Sequence, residues 1–223
     1  MTPRPLLALL LLAPAAAGQS VPSSSEFTRI VKEVMEEYPA DGTHTYYWPR
    51  GSGSGWAGNT MDLRYGGELF SEGDPKGRCY CCGLTFEVFF RAWERWADKK
   101  KVEFRIGDLD AGELRTFRSR WFCSGDFRRG PLDALEWKGL GAAIPAEDAG
   151  AGDFVQLWRK SGSGHSVIFV SWVVEGGRRT GIRYWSTQGS TNGLGVHTES
   201  LAGEGASGVD LDKTYFARVG ARR

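Results

Sequence analysis

Residues 79–84 read Cys-Tyr-Cys-Cys-Gly-Leu and open the stretch of sequence with the clearest helical period. The aromatic side chains that follow recur at three- and four-residue steps, at Phe86, Phe89, Phe90, Trp93 and Trp96. This spacing predicts a helix over residues 84–99 with one wide apolar face. A thiol on the first turn of a helix has a lowered pKa, because the backbone N–H groups there lack helical partners. The stretch therefore predicts a nucleophilic cysteine, Cys81 or Cys82, at a helix start.

The rest of the chain predicts helices first and strands afterwards. Apolar side chains at helical spacing predict three further helices, over residues 26–38, from Asp110 to Trp121 and from Pro131 onward. Alternating and β-branched residues predict strands over 153–159, 165–174, 180–187 and 215–219, with a hairpin turn at 175–178. Residues 61–77 have no clear period, and residues 144–148 indicate a turn. Helices followed by an antiparallel sheet form an α+β fold.

The first residues have the three-part layout of a secretory signal. Arg4 supplies a positive charge, residues 6–12 form an apolar run, and residues 15–17 offer a small-residue cleavage site. The apolar run is too short for a membrane-spanning helix. We therefore expect a secreted or periplasmic protein in three parts: a signal peptide over 1–18, an N-terminal helix and irregular lead-in over 19–60, and a catalytic domain over 61–223.

Composition excludes several classes of partner. The formal net charge is +1, from 28 basic and 27 acidic residues, and both signs are scattered along the chain. A nucleic-acid partner would need a basic patch that this sequence lacks. No segment after the signal is long and apolar enough to span a bilayer, so we expect no stable membrane insertion after signal cleavage. We expect a monomer.

The four cysteines, Cys79, Cys81, Cys82 and Cys123, would be exported into an oxidising compartment, where thiols tend to pair. Three of them lie within four positions, and such neighbours rarely meet disulfide geometry without strain. One plausible pairing joins Cys79 to Cys123 and leaves two thiols free. The spacing fits no common zinc motif, so we expect no metal site.

Among the three histidines, His165 has the best setting for a general base. It follows a Ser-Gly-Ser-Gly loop and begins an apolar, β-branched run, which places it at the mouth of a buried strand. His44 and His197 lie in polar, loop-like sequence. Amide hydrolysis by a thiol needs a thiolate, a histidine that carries a proton, and a group that orients the imidazole. A cysteine at a helix start and a histidine at a strand start supply the first two.

These segments resemble motifs of the NlpC/P60 cell-wall peptidases, a papain-like family, as ordered pieces over residues 61–190. Residues 81–85, Cys-Cys-Gly-Leu-Thr, are similar to the family's Cys-Ser-Gly-Leu/Phe nucleophile motif, with Cys82 in place of serine. Residues 64–67, Arg-Tyr-Gly-Gly, resemble the stretch before that motif. Residues 149–155 and 164–170 are similar to its Pro-Gly-Asp-Leu-Val and Gly-His-Val-Gly-Ile-Tyr strands. Tyr80 stands where the family has an acidic residue, which indicates a divergent member.

The resemblance implies a papain-like fold, in which N-terminal helices carry the nucleophile on a helix N-terminus and pack on an antiparallel sheet. It assigns the nucleophile to Cys81, because Gly83 stands two places after it, and the base to His165. Helical phase agrees, since Cys82 shares the stripe of the large aromatic residues; Cys82 stays the alternative. For the orienting group we choose Gln188, whose amide oxygen can accept from the imidazole, with Ser186 second.

The implied function is an exported cysteine hydrolase that cleaves an amide bond in the stem peptide of peptidoglycan or in another peptide substrate. The chemistry that the resemblance implies needs neither a metal nor an organic cofactor. Aromatic side chains near the motif, Trp48 and Tyr65 among them, would line the substrate groove. Two alternatives stay open. A papain-like scaffold also supports acyl transfer or a non-wall amidase activity. A secreted binding domain with all its cysteines in disulfides would have no activity.

Overall fold

The computed structural model describes residues 21–49, 56–202 and 207–222. The predicted signal peptide over 1–18 lies outside the described residues. The helices are α1 (Ser24–Met35), α2 (Cys81–Lys100), α3 (Ala111–Trp121) and α4 (Pro131–Trp137). The strands are β1 (Leu63–Tyr65), β2 (Glu68–Ser71), β3 (Gly141–Ile144), β4 (Phe154–Arg159), β5 (Gly164–Glu175), β6 (Arg178–Gln188), β7 (Gly193–Ser200) and β8 (Val209–Val219).

Six strands form one antiparallel sheet in the order β3-β8-β4-β5-β6-β7. The predicted hairpin joins β5 to β6, with Glu175 opposite Arg178. Strands β1 and β2 form a separate antiparallel pair. The predicted α+β class, with helices followed by an antiparallel sheet, is confirmed.

Helix α2 begins at Cys81, three residues before the predicted start, and runs through Lys100. It ends where Lys101 adopts a left-handed conformation (φ 58°) and its N–H bonds back into the last turn. Lys99 and Lys100 lie in that last turn, where cations are favoured by the partial negative charge of the carbonyl end. The predicted aromatic face is buried, and each such side chain contributes roughly 1.5–3 kcal/mol relative to an exposed position.

The central strands are buried on both faces, so their side chains divide between two apolar clusters. On β4, Phe154 faces the helices and contacts the rings of Phe89 and Trp121. Its neighbours Val155 and Leu157 belong to the second cluster on the opposite face. Helix α1 joins the first cluster: Phe27 contacts Phe89 of α2 at a ring-centroid distance of 6.0 Å. Helix α1 thus shares the main core with helix α2.

Several elements differ from the sequence prediction. Residues 61–77, predicted as irregular, contain the β1–β2 hairpin. The turn predicted at 144–148 is the end of β3 followed by a short 3-10 helix over Ala146–Asp148. Strand β7 was not predicted, and β8 begins at Val209 rather than at residue 215. The strand segments that the sequence did not predict are short, polar or glycine-containing, and pairing with neighbouring strands stabilises them.

Within the ranges that the structure describes, no helix combines the length and the apolar character needed to cross a membrane.

Candidate functional site

Helix α2 begins without a side-chain cap. Tyr80 occupies the N-cap position and makes no capping hydrogen bond with its side chain. The first bond of the helical ladder runs from the Leu84 N–H to the Tyr80 carbonyl. The N–H groups of residues 81–83 therefore precede the ladder and give this end of the helix a partial positive charge. Cys81 stands at the first helical position, where that charge favours a thiolate.

Gly83 explains how the first turn of α2 is positioned. A Cβ atom on Gly83 would lie 2.2 Å from the carbonyl oxygen of Ala57 and 2.4 Å from that of Gly58. A Cβ atom on Gly58, whose φ is 76°, would lie 2.3 Å from the ring of Tyr80. Backbone can approach backbone this closely only where side chains are absent. The glycine that follows the two cysteines is thus required for the lead-in segment to contact the helix start.

His165 and Cys81 come together at this helix start. His165 is only 5% exposed and lies in the second position of β5, opposite Leu157 of β4. The pKa of the Cys81 thiol is lowered well below its ordinary value by a hydrogen bond from the Cys82 thiol. The His165 ring and the backbone N–H of Ser166 lower this pKa further, against the opposing effect of burial. These contacts therefore favour the thiolate form of Cys81 relative to an ordinary cysteine.

Cys82 has the opposite electrostatic setting. It is 7% exposed and belongs to the main apolar cluster with the aromatic face of α2. Burial raises the pKa of its thiol well above the ordinary value, and the neighbouring Cys81 raises it further. The proton therefore stays on Cys82, which donates toward Cys81. This asymmetry favours Cys81 over Cys82 as the nucleophile.

A buried chain of hydrogen bonds holds α2 against β5 next to Cys81 and His165. Thr85 and Ser166 share a hydroxyl–hydroxyl hydrogen bond of 2.8 Å. The indole of Trp121 donates to the Thr85 hydroxyl at 3.1 Å, and Ser186 donates to the Ser166 carbonyl at 2.9 Å. Each of these side chains is fully or almost fully buried. The network sets the distance between the start of the helix and the start of the strand.

A cleft of about 490 Å³ is lined by Cys81 and His165. It is lined by residues from the helix start, the α3–α4 connection and the strand ends: Tyr46, Trp48, Cys81, Cys82, Phe122, Cys123, Gln156, Trp158, Arg159, Gly164, His165, Ser166, Gln188, Gly189 and Ser190. The cleft thus contains Cys81 and His165, the predicted nucleophile and base, and three of the other predicted site residues, namely Cys82, Gln188 and Trp48.

Gln188 lines the cleft, but its amide is engaged with neighbours other than the imidazole. Its amide oxygen accepts from the Tyr184 hydroxyl at 2.9 Å, and its NH₂ group donates to Ser190 at 2.9 Å. Nε2 of His165 is buried and has no hydrogen-bond partner among the described residues. The Ser186 hydroxyl donates a hydrogen bond to the Ser166 carbonyl. The orienting role of Gln188, with Ser186 as the alternative, stays a prediction.

The single proton of the Tyr184 hydroxyl favours a second orientation of the Gln188 side-chain amide. The Tyr184 hydroxyl lies 2.9 Å from the Gln188 oxygen and 3.0 Å from a carboxylate oxygen of Glu199, yet it carries one proton. Glu199, which also accepts from Arg159, is the stronger acceptor because it is charged. Every group is satisfied when the amide is turned over, with its NH₂ group toward Tyr184 and its oxygen toward Ser190.

The two predicted substrate-binding residues lie in different places. Trp48 is 51% exposed, lines the cleft and contacts the ring of Tyr80 edge-on at 4.5 Å. Tyr65 is buried in the main cluster against Phe90. Its hydroxyl donates to the Leu109 carbonyl at 2.7 Å and accepts from the Ile106 N–H at 3.2 Å. Tyr65 therefore stabilises the core and does not line the cleft.

All four cysteines are free thiols, so the Cys79–Cys123 bridge is absent. Cys79 is fully buried, and burial raises its pKa to about 12. Cys123 lines the cleft in a left-handed conformation (φ 53°), and burial raises its pKa to about 12 as well. Among the residues that the structure describes, no three histidine, cysteine or acidic side chains form a group that could hold a metal ion.

Sequence reasoning missed several residues of the cleft. Cys123, Gln156, Trp158 and Arg159 reach it through the tertiary fold, and none of them follows a local motif. The alternation of β4 was a partial signal, because it places Gln156 and Trp158 on the same face as the buried Phe154. A buried glutamine on an otherwise apolar strand face indicates a polar role.

Comparisons with protein-family models, with curated proteins and with solved structures found no match to this chain.

Proposed function

We propose that this protein is an exported, papain-like cysteine hydrolase that cleaves an amide bond in the stem peptide of peptidoglycan. One observation carries the proposal: Cys81, at the uncapped first turn of α2, has a lowered thiol pKa and lies within reach of His165 in an open cleft. Perturbed titration of a nucleophile beside a base in a cleft is typical of catalytic sites.

The chemistry follows from the positions of these groups. The Cys81 thiolate attacks the substrate carbonyl carbon, and the carbonyl oxygen takes the negative charge of the tetrahedral intermediate. The N–H groups at the start of α2 stabilise that oxygen. The His165 imidazolium gives its proton to the leaving amine, and a thioester forms on Cys81. His165 then takes a proton from water, which attacks the thioester and releases the acid.

The imidazole must stay oriented while it carries the proton. Nε2 of His165 is buried and has no hydrogen-bond partner within the described part of the chain, and Gln188 lies in the same cleft. We assign Gln188 as the orienting residue, with Ser186 as the alternative. Since the Gln188 amide is bonded to Tyr184 and Ser190, this role requires its oxygen to turn toward the imidazole when substrate is bound.

The substrate class and the location rest on the sequence. The resemblance of residues 81–85 and 164–170 to cell-wall peptidase motifs supports peptidoglycan peptide as the substrate. The secretory layout of residues 1–18 supports a secreted or periplasmic location. The free thiols argue against a binding domain with all its cysteines bridged. Acyl transfer uses the same thioester and differs only in whether an amine replaces water.

The test uses the purified mature protein and muropeptides from purified peptidoglycan, with products identified by mass spectrometry. We expect cleavage of an amide bond that Cys81→Ala and His165→Ala abolish. Cys79→Ala is the matched control, because Cys79 is a cysteine outside the cleft, and its activity should persist. Full cleavage by Cys81→Ala would refute the proposal. Adding glycine as an acceptor amine distinguishes the alternatives, because a transferase would form the glycine adduct in preference to the acid.

A further inference from the structure

Cys123 stands at a backbone position that favours glycine. It follows Phe122, the C-cap residue of α3, and has a left-handed conformation (φ 53°). Its N–H donates to the Arg120 carbonyl, and the N–H of Ser124 donates to the Ser119 carbonyl. These two bonds end the helix in a Schellman motif, in which the left-handed residue is usually glycine. A cysteine at this position therefore needs a reason other than backbone conformation, and such residues cluster at functional sites.

The end of α3 packs against the start of α2 and brings Cys123 to Cys81. Phe122, which precedes Cys123, contacts the ring of Tyr80, which precedes Cys81, with 6.1 Å between the ring centroids. Both cysteines line the cleft, and both are partly exposed. Burial raises the pKa of the Cys123 thiol, and the negative charge of Cys81 raises it further, an effect that weakens with distance. The two thiols thus lie in one cavity, at the ends of two packed helices.

Neither of the other two cysteines suits a disulfide bond with Cys81. Cys82 is the next residue, and neighbouring Cα atoms lie about 3.8 Å apart, closer than the roughly 4.4–6.8 Å that a disulfide spans. Both residues also belong to the first turn of α2, whose hydrogen bonds hold that backbone in place. Cys79 is fully buried and lies outside the cleft. Cys123 is therefore the partner that the fold offers to Cys81.

A thiol such as Cys81 is also the kind that oxidants reach first. Peroxides react with thiols that have a lowered pKa and are open to solvent, and the product is a sulfenic acid. Further oxidation gives a sulfinic acid, which thiol reductants do not reverse. A second thiol within reach captures the sulfenic acid as a disulfide, and that bond is reversible. Such a second thiol would preserve Cys81 in an oxidising compartment, where the sequence predicts this protein to be.

We propose that Cys123 is a resolving cysteine, which forms a disulfide bond with Cys81 after a peroxide has oxidised Cys81. The bond occupies the nucleophile and closes the site until a thiol reductant opens it again. The loss and return of activity rest on the proposed function, since they assume that Cys81 is the nucleophile. The formation of the bond itself depends only on the two thiols and the cleft that they share.

The reaction balances with hydrogen peroxide as the oxidant. The Cys81 thiolate attacks one oxygen atom, the O–O bond breaks, and the leaving hydroxide takes a proton from the His165 imidazolium to form water. The Cys123 sulfur then attacks the sulfur of the sulfenic acid while His165, which lines the same cleft, takes the Cys123 proton. The S–O bond breaks, and the second hydroxide receives that proton from His165. Two thiols and one peroxide thus give one disulfide and two molecules of water.

The first test maps disulfide bonds in the mature protein after treatment with hydrogen peroxide, by tryptic digestion without reduction and mass spectrometry. We expect the peptide that contains Cys123 to be joined to the peptide that contains Cys79, Cys81 and Cys82. Cys81→Ala should abolish this linked peptide. Cys79→Ala and Cys82→Ala are the matched controls and should keep it. Dithiothreitol should remove the link and restore the alkylation of Cys81 by iodoacetamide.

A second measurement follows Cys81 when the resolving thiol is absent. Cys123→Gly suits the left-handed backbone, and Cys123→Ser keeps the size of the side chain, so the two variants guard against a failure to fold. After equal treatment with peroxide, both should carry several-fold more sulfinic acid at Cys81 than the wild type. Dithiothreitol should therefore restore several-fold less of the alkylation, because sulfinic acid is not reduced by thiols.

Two results would overturn the inference. A linked peptide that persists in Cys81→Ala would show that Cys123 pairs with a different cysteine. The absence of any linked peptide in folded, peroxide-treated wild-type protein would show that Cys123 does not resolve the oxidised thiol. Both results are read from peptide masses and need no substrate. They are therefore distinct from a failure of the proposed function, in which Cys81→Ala keeps full hydrolysis of muropeptides.

Discussion

The hydroxyl groups of Thr85 and Ser166 lie 2.8 Å apart in the interior and join helix α2 to the strand that carries His165. Thr85 stands one helical turn after Cys81, and Ser166 directly follows His165. The bond therefore joins the segments that carry Cys81 and His165, close to both residues. Trp121 adds a third element, since its indole N–H donates to the same threonine.

Removing the Thr85 hydroxyl should loosen this junction. Thr85→Val keeps the shape but leaves the Trp121 N–H and the Ser166 hydroxyl without their buried partner. We expect a loss of about 1–3 kcal/mol in the free energy of unfolding, measured by urea denaturation. The matched control is Thr116→Val, since the exposed Thr116 hydroxyl bonds to a carbonyl of its own helix, at 3.3 Å. The control should change stability by less than about 0.5 kcal/mol, and equal losses in both variants would contradict the assignment.

The reactivity of Cys81 should extend to unusually low pH. Its folded-state pKa is depressed, so the thiolate is present above that lowered value and is lost only as the pH falls through it. An ordinary cysteine, with a pKa of about 8.5, loses almost all of its reactivity by pH 6. We expect iodoacetamide to label Cys81 first, and we expect its rate to fall less between pH 8 and pH 6 than the rate of an ordinary thiol, as measured by peptide mapping.

His165→Ala supplies the control for that experiment. The His165 ring is one of the groups that lower the Cys81 pKa, so its removal should shift the midpoint of the labelling rate upward. Faster labelling of Cys82 would make Cys82 the better nucleophile. A midpoint for Cys81 at the ordinary thiol value would contradict its lowered pKa.

Local sequence was sufficient to predict the elements that carry strong periodicity. The aromatic spacing on α2 and the β-branched run of β5 led directly to a helix that begins beside Cys81 and to a strand that begins beside His165. Strand β7 escaped prediction because Gly193, Gly195 and the polar residues after them have little strand preference of their own. Their conformation comes from pairing with β6 along its whole length. A local sequence pattern does not show which strands pair in the folded protein.

The same limit applies to the site. Cys81 and His165 are predictable because each stands at the end of a periodic element. Gln156 and Cys123 enter the cleft because the sheet register and the α3–α4 connection bring them there. Tyr65 shows the opposite error: it lies near the motif in sequence, yet the core needs both its ring and its hydroxyl.

Replacing Gly83 should disturb both stability and reactivity. Gly83→Ala places a Cβ atom within 2.4 Å of the Ala57 and Gly58 backbone, so the helix start or the lead-in must move. Overpacking of this kind costs typically 1–3 kcal/mol. We expect a stability loss in that range, measured by urea denaturation, and slower alkylation of Cys81. Gly112→Ala, in the exposed first turn of α3, is the control and should change stability by less than about 1 kcal/mol. A Gly83→Ala protein of wild-type stability would contradict the close contact.

The loop before Cys79 should be sensitive to acid. Asp74 accepts hydrogen bonds from the Arg78 guanidinium and from the backbone N–H groups of Lys76 and Arg78. The Arg78 side chain is the main cause of its pKa of about 2, against 3.8 ordinarily. Because the folded-state pKa is depressed, the stabilisation is fully present above about pH 4 and is lost as the pH falls toward 2. Asp74→Asn should therefore lower stability by about 1–3 kcal/mol at pH 7.

The acid dependence distinguishes this carboxylate from a merely polar contact. Urea denaturation at pH 7 and at pH 2.5 should show a difference between Asp74→Asn and the wild type that shrinks at the lower pH. A difference that is equal at both values would mean that the charge of Asp74 contributes nothing.

Trp48 and Tyr65 should respond to mutation in opposite ways. Trp48 is exposed at the cleft, so Trp48→Ala should raise KM for muropeptides several-fold and leave the free energy of unfolding within about 0.5 kcal/mol of the wild type. Tyr65→Phe removes a hydroxyl that bonds two buried backbone groups, so it should cost about 1–3 kcal/mol of stability without a change in KM. Paired kinetic and denaturation measurements on both variants test the assignment. A raised KM in Tyr65→Phe at wild-type stability would place Tyr65 at the substrate after all.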